Sequence, residues 1–162
     1  MKLIVTSDTH SEILPQVLLD DIVRADLLVH VGDFCDLDVY NHLKGLKVIR
    51  AVYGNMDGLD LRGILPRKAI FKCEQVVIGL FHGEGGSDKM LERVKASFLR
   101  DKVDVVVFGH SHQAFNQVLD GVLYFNPGSP TDLIRAPFRS YGILDINGNK
   151  VKGTIVKIKQ GC

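Results

Sequence analysis

The chain has 162 residues, 46% of them hydrophobic and 24% charged, with a formal net charge of +1. This length fits one domain with a sizeable core, and the composition is that of a globular protein. Near-neutral charge gives no overall basic field for nucleic acid, and the apolar runs fall short of the ~18 residues of a membrane helix.

In chain order, residues 2–7 (KLIVTS) form an apolar run without helical period and are predicted as a strand. Residues 11–24 place Ile13, Val17, Leu18 and Ile22 at helical spacing, with Ser11 as N-cap and Pro15 tolerated in the first turn. A strand over 27–31, a short helix over 38–44 and a strand over 47–53 complete linked βαβ units. Residues 68–73 and 75–81 are predicted as two tightly joined strands, 87–100 as an amphipathic helix capped by Ser87 or Asp88, and 103–108 as a buried strand. Beyond them, VLDGVLYF carries an Asp120-Gly121 hairpin signal and LDINGNKVKG an Asn147-Gly148 one. The pattern predicts an α/β fold of two mixed β-sheets packed together with helices outside, within a single domain over 1–162.

Met1-Lys2 leads directly into the first strand, with no secretory h-region. The three cysteines, Cys35, Cys73 and Cys162, are odd in number and far apart, which fits the reducing cytoplasm better than a disulfide framework.

Five apolar runs each end on a small polar cluster: Asp8-Thr9-His10, Gly32-Asp33, Gly54-Asn55-Met56-Asp57, His82-Gly83 and Gly109-His110-Ser111-His112. In open α/β sheets the carboxyl ends of strands line the ligand crevice. What would converge there is two carboxylates, one amide oxygen and four imidazoles, the inventory of a two-metal site. Oxygen and imidazole donors without thiolate suit manganese, iron, cobalt, nickel or zinc in a catalytic role. Asp33 is the natural bridge, since a carboxylate offers two oxygens. Two ions about 3.5–4 Å apart acidify a shared water and stabilise the attacking and leaving oxygens of a phosphate ester. Asp8 with His10, and His110 with His112, are two residues apart, so extended backbone would point each pair one way. The glycines before Asp33, Asn55 and His110 fit sharp turns or close backbone approach.

Other residues of these segments have plainer readings. His30 sits within a strand, at most supporting the site, and His42 lies on a helix. Asp36 reads as a helix N-cap, while Asp57 either orients a ligand or caps a turn. Gly83-Glu84-Gly85-Gly86 reads as a turn before a phosphate cradle, Arg135 and Arg139 as solvated surface, and Cys35 as a packing residue.

Taken in order, Asp-x-His, Gly-Asp, Gly-Asn-x-Asp, His-Gly and Gly-His-x-His resemble the calcineurin-like metallophosphoesterase superfamily. KLIVTSDTHS, GNMD and Asn126-Pro127-Gly128-Ser129 resemble its small bacterial and archaeal phosphodiesterase branch. The resemblance implies a four-layer α-β-β-α sandwich. It implies one ion on Asp8, His10 and His112, a second on Asn55, His82 and His110, and Asp33 bridging, with Asp33, Asn55 and His82 also counted as catalytic. It further implies a phosphodiesterase acting on small phosphate esters through a hydroxide shared by two divalent ions, manganese first among them. Asn126-Pro127-Gly128-Ser129 would be a turn beside the site, with no role following for Ser129. Many relatives read Gly-Asn-His-Glu, with that histidine as proton donor. Met56 replaces it here, so the donor is unassigned and efficient general monoester hydrolysis is disfavoured. The alternatives are a phosphomonoesterase and a non-catalytic scaffold of this fold, such as the one in the retromer complex. No nucleic-acid or membrane partner is expected; self-association is left open.

Overall fold

A computed structural model describes residues 1–159; Cys162 lies outside the described residues. The first sheet has strand order β10-β9-β1-β2-β3, built from β1 (Lys2–Thr6), β2 (Leu27–His30), β3 (Ile49–Ala51), β9 (Ser140–Asn147) and β10 (Lys150–Lys157). The second has order β4-β5-β6-β8-β7, from β4 (Lys68–Cys73), β5 (Val76–Phe81), β6 (Val105–Val107), β7 (Phe115–Leu119) and β8 (Val122–Asn126). Both are mixed: β1 and β2 run parallel from Leu3↔Leu27 to Thr6↔His30, while β1 and β9 are antiparallel. In the second sheet β5, β6 and β8 are parallel and the edge strands β4 and β7 are antiparallel.

Side-chain alternation explains why the central strands read as unbroken apolar runs, since both faces of each are covered. Leu3 and Val5 of β1 meet Ile78, Leu80, Val105 and Val107 between the sheets, while Ile4 turns outward to helices. On that outer face pack Leu18 and Ile22 of α1 (Gln16–Arg24), Leu43 of α2 (Leu37–Leu46) and Leu61 of α3 (Leu59–Ile64). Across the second sheet, Val106 and Tyr124 receive Met90 and Val94 of α4 (Met90–Ser97) together with Phe98. The order helix, sheet, sheet, helix is the four-layer arrangement expected from the sequence.

Several boundaries differ from expectation. α1 starts at Gln16, not Ser11, and no side chain caps it. Pro15 occupies the N-cap with extended ψ, because its ring and missing N–H oppose a helix running through it. Helix 87–100 is shorter, with a 3₁₀ turn at Ser87–Lys89 ahead of α4 and Lys89, without a cap bond, at its N-cap. The strands expected over 47–53 and 103–108 contract to three residues each. α3 was not anticipated; six residues, LDLRGI, are too few to show a period. The Asp120-Gly121 hairpin is as expected, with both residues at positive φ and Leu119 paired with Val122. In the last hairpin Asn147 pairs with Lys150, so the loop is Gly148-Asn149, shifted by one residue.

Candidate metal centre

The carboxyl ends of β1, β2 and β3 in one sheet and of β5 and β6 in the other open onto the same crevice, and all seven candidate ligands lie there. Two groups form: Asp8, His10 and His112, and Asp33, His82 and His110. In the first, His10 Nε2 is 3.1 Å from His112 Nε2 and 3.9 Å from Asp8 Oδ1, which is 3.3 Å from His112 Nε2. In the second, His82 Nε2 is 3.3 Å from Asp33 Oδ2 and 3.1 Å from Asn55 Oδ1, and His110 Nδ1 is 2.8 Å from that same amide oxygen. Asp8 Oδ1 also lies 3.9 Å from His82 Nε2, so the groups adjoin.

The convergence is not produced by strand alternation. Asp8, His10, Asp33, His110 and His112 have φ between 48° and 66°, the left-handed region. Non-glycine residues there are uncommon, with Asn, Asp and His the most tolerant, and such residues gather at functional sites at about 1–3 kcal/mol each. The i, i+2 pairs thus face one way because both members sit in left-handed turns beyond the strand ends. The preceding glycines make room. Gly32 itself has φ +98°, whereas a Cβ on Gly54 would stand 2.1 Å from Asp33 Oδ1 and one on Gly109 would stand 2.0 Å from Ser7 Oγ.

Hydrogen bonds behind the rings decide which nitrogen faces the crevice. His82 Nδ1 donates to the Val31 carbonyl at 2.7 Å and His110 Nε2 to the Gly85 carbonyl at 2.9 Å. A carbonyl only accepts, so in the neutral rings His82 Nε2 and His110 Nδ1 present lone pairs to Asn55 Oδ1. His112 Nδ1 donates to the Asp132 carboxylate, so in the neutral ring its Nε2 presents a lone pair toward Asp8 and His10. Buried Asp8 Oδ1 has no hydrogen-bond partner among the described residues. With the His82, His110 and His112 rings neutral, their inward nitrogens therefore face Asn55 Oδ1, Asp33 Oδ2 and Asp8 Oδ1 as acceptor against acceptor, an arrangement that fits cations.

Electrostatics agree. Burial disfavours charge on Asp8 and Asp33, yet hydrogen bonds and positive charge from His112 and His82 hold both carboxyls below the usual range. Burial likewise works against charge on His112, but the Asp8 carboxylate 3.3 Å away and Asp132 favour the protonated ring and push it up to about 9. His82 is raised despite its burial, through Asp33 and Asp8. A proton on these rings and a metal ion are alternative answers to the same crowding of acceptors.

The supporting residues were only partly foreseen. Asp57 accepts the N–H groups of Asp33 (2.9 Å), Cys35 (2.8 Å) and Gly54 (2.7 Å), fastening two ligand-bearing loops together; burial raises its carboxyl. Asp36 caps α2 through the Asp38 N–H at 2.8 Å. His30 is buried and structural, between Thr9 Oγ1 and the Gly32 N–H, while His42 is exposed. Buried Ser129 donates to the Asp8 carbonyl at 2.8 Å, and Asn126 Nδ2 to the Gly109 carbonyl at 3.0 Å, so the Asn126–Ser129 turn braces two ligand loops. Gly85 turns its carbonyl toward His110, which fits the turn reading of that loop rather than a phosphate cradle. Cys35 does more than pack: its Sγ is 3.2 Å from His10 Nδ1, and burial pushes the thiol up to about 12, so it stays protonated. Arg139, expected in solvent, is half-buried with Nε unpartnered among the described residues. Asp132 was missed entirely; an acidic residue in a loop near the C-terminal hairpin carries no spacing signal toward His112.

Comparison with known proteins places the chain in a family. Residues 1–149 match the calcineurin-like phosphoesterase superfamily domain. A probable metallophosphoesterase from Methanocaldococcus jannaschii is 35% identical, over 96% of this chain and 81% of its own length. A second protein of that organism, named a phosphodiesterase, is 27% identical over 97% of this chain and all (100%) of its own. Among solved structures, Vps29 from Entamoeba histolytica complexed with Zn²⁺ superposes with TM-score 0.74 at 25% identity, covering 97% of this chain and 99% of that one. The chain belongs to the calcineurin-like phosphoesterase superfamily, a divalent-metal-dependent family of hydrolases acting on phosphate esters.

Proposed function

We propose that the protein is a phosphodiesterase with two divalent ions, one on Asp8, His10 and His112, the other on Asn55, His82 and His110, and Asp33 between them. The observation that carries this reading is the set of inward lone pairs on the neutral His82, His110 and His112 rings, fixed by acceptors behind the rings, with Asp8 Oδ1 left without a hydrogen-bond partner among the described residues. The mixed oxygen and imidazole donors favour manganese, with nickel, iron, cobalt or zinc as substitutes. Bound there, the ions would supply positive charge to polarise a phosphoryl group and to acidify water.

The chain's own residues supply positioning, which is most of what phosphoryl transfer asks of a protein. Asp33, Asn55 and His82, at three strand ends, shape the floor of the crevice, and Asp57 locks the first two in register. Asp132 and the Val31 and Gly85 carbonyls fix the tautomers of His112, His82 and His110. Two observations favour diesters. Met56 is 59% exposed and offers only its backbone N–H, to Asp33 Oδ1 at 2.8 Å, so that position supplies no acid for a poor leaving group. Cavities also flank the centre on both sides, about 610 Å³ beside His10 and His112 and about 260 Å³ beside Asn55 and His82, where a diester has two organic arms to place.

A non-catalytic scaffold is the second reading, because a fold by itself does not settle activity. Hydrolysis of bis-p-nitrophenyl phosphate by metal-stripped protein, with Mn, Ni, Co, Zn or Mg added back, separates the two. Metal-restored turnover at least tenfold above that on p-nitrophenyl phosphate is expected. Absence of turnover with every one of these metals would leave the scaffold reading standing.

A further inference from the structure

The larger cavity, beside His10 and His112, has an apolar wall of Met56, Leu133 and Ile134. Leu133 is 65% exposed and Ile134 93%, so both keep most of their apolar surface uncovered at the edge of this cavity. Single exposed apolar side chains are ordinary. Three on one wall, bordering a polar centre, form a surface that an apolar group can cover.

The wall is held in place by the centre itself. Asp132, which holds His112, accepts through its other oxygen from the N–H groups of Ile134 at 2.7 Å and Arg135 at 2.9 Å. Ser129 Oγ accepts from the Asp132 N–H at 3.0 Å while donating to the Asp8 carbonyl. The turn that presents Leu133 and Ile134 is thereby tied to two candidate ligands, and a phosphate at the centre has this wall within its own cavity. Arg135, with no ion-pair partner among the described residues, and Glu12 border the same space, so one charge of each sign stands around the apolar wall.

We infer that this cavity receives one organic arm of the substrate and selects phosphate esters in which that arm is bulky and apolar, the size of an aryl ring or larger. Leu133 and Ile134 are the specificity-determining residues, and Asp132 is the positioning residue that couples them to His112. The cavity's volume, about 610 Å³, falls within the usual range of ligand cavities, about 300–1,000 Å³. This inference rests on the phosphoesterase reading of the centre.

Phenylphosphonate and methylphosphonate share a head group and differ in the arm. Their binding to the manganese-loaded protein, followed by calorimetry, and their inhibition of bis-p-nitrophenyl phosphate hydrolysis test the inference by two readouts. Phenylphosphonate is expected to bind about tenfold more tightly, and the ratio is expected to fall to about twofold in the Leu133→Ser/Ile134→Ser variant. Both substituted side chains are exposed, so that variant keeps its core. Equal affinity for the two phosphonates, or an unchanged ratio in the variant, overturns the inference. Preference for the phenyl arm without any hydrolysis upholds the cavity and overturns the enzyme. If neither phosphonate binds while bis-p-nitrophenyl phosphate is still hydrolysed, the inference falls and the enzyme stands; if neither binds and nothing is hydrolysed, both readings fall. Light scattering on the same samples adds one more outcome: a dimer dissociated by the two serines would make the wall a contact between copies and overturn the inference.

Discussion

Asp57 shows how much of the centre rests on one side chain that touches no substrate. Its carboxylate gathers three backbone N–H groups from the loops bearing Asp33 and Asn55. Asn has a single acceptor oxygen, and its amide would face an N–H. Asp57→Asn is expected to lose about 1–3 kcal/mol of stability, the cost of a buried group left unsatisfied, and about 10–100-fold in metal affinity through displaced ligands. Thermal unfolding and metal titration of the variant check the two effects. His30 gives the pH dependence. It is fully buried, stacked 3.5 Å above Phe34, and burial pushes its pKa from 6.5 down to about 3. The unfolded chain takes up that proton first, so folding is undermined as pH falls below 6.5 toward 3. The loss approaches about 1.4 kcal/mol per pH unit from this one residue. Urea unfolding of metal-stripped protein from pH 7.5 to 5 should show a flatter pH dependence for His30→Gln than for the parent; equal slopes would remove His30 as the cause. At this scale the seven candidate ligands were visible because each closes an apolar run. Asp132 and Ser129 were not, because what they do is set by contacts across 20 and 121 residues of chain.

At the scale of elements, the sequence told more about where strands and helices lie than about how they begin. Asp36 was legible as a cap, since an Asp directly before an apolar-periodic stretch has a local mechanism. Ser11 met the same local criterion and failed it, because Pro15 four residues on defers the helix to Gln16. The two positions therefore part on mutation. Asp36→Ala is expected to cost about 1 kcal/mol, and Ser11→Ala to stay within about 0.5 kcal/mol, as a loop substitution without a cap to lose. Denaturant midpoints of the two variants measure this, and a larger loss at Ser11 would contradict the assignment. The Asp8–His10 and His110–His112 pairs teach a related lesson. Spacing by two suggested extended backbone, whereas left-handed turns deliver the same convergence. Sequence alone does not separate these, since Asp and His populate both conformations.

For the molecule as a whole, the two-sheet sandwich was readable from unbroken apolar runs joined first by helical crossovers and then by hairpins. Strand order was not, because the pairing of β1 with β9 and of β6 with β8 joins segments whose local patterns carry no record of each other. The architecture explains why the site belongs to no single element: three strand ends of one sheet and two of the other meet only once the sheets have packed. The apolar clusters between and outside the sheets contain none of the candidate ligands, so the fold does not depend on metal for its core. No helix among the described residues is long and apolar enough to cross a membrane. The central claim is that this shared edge holds two divalent ions, and calorimetric titration of manganese into metal-stripped protein tests it most directly. Two ions per chain are predicted for the parent, and none for Asp8→Ala/Asp33→Ala, which should keep the parent's circular dichroism. Failure of the parent to bind manganese or any of the alternative ions, or two ions still bound by the double variant, would contradict the account.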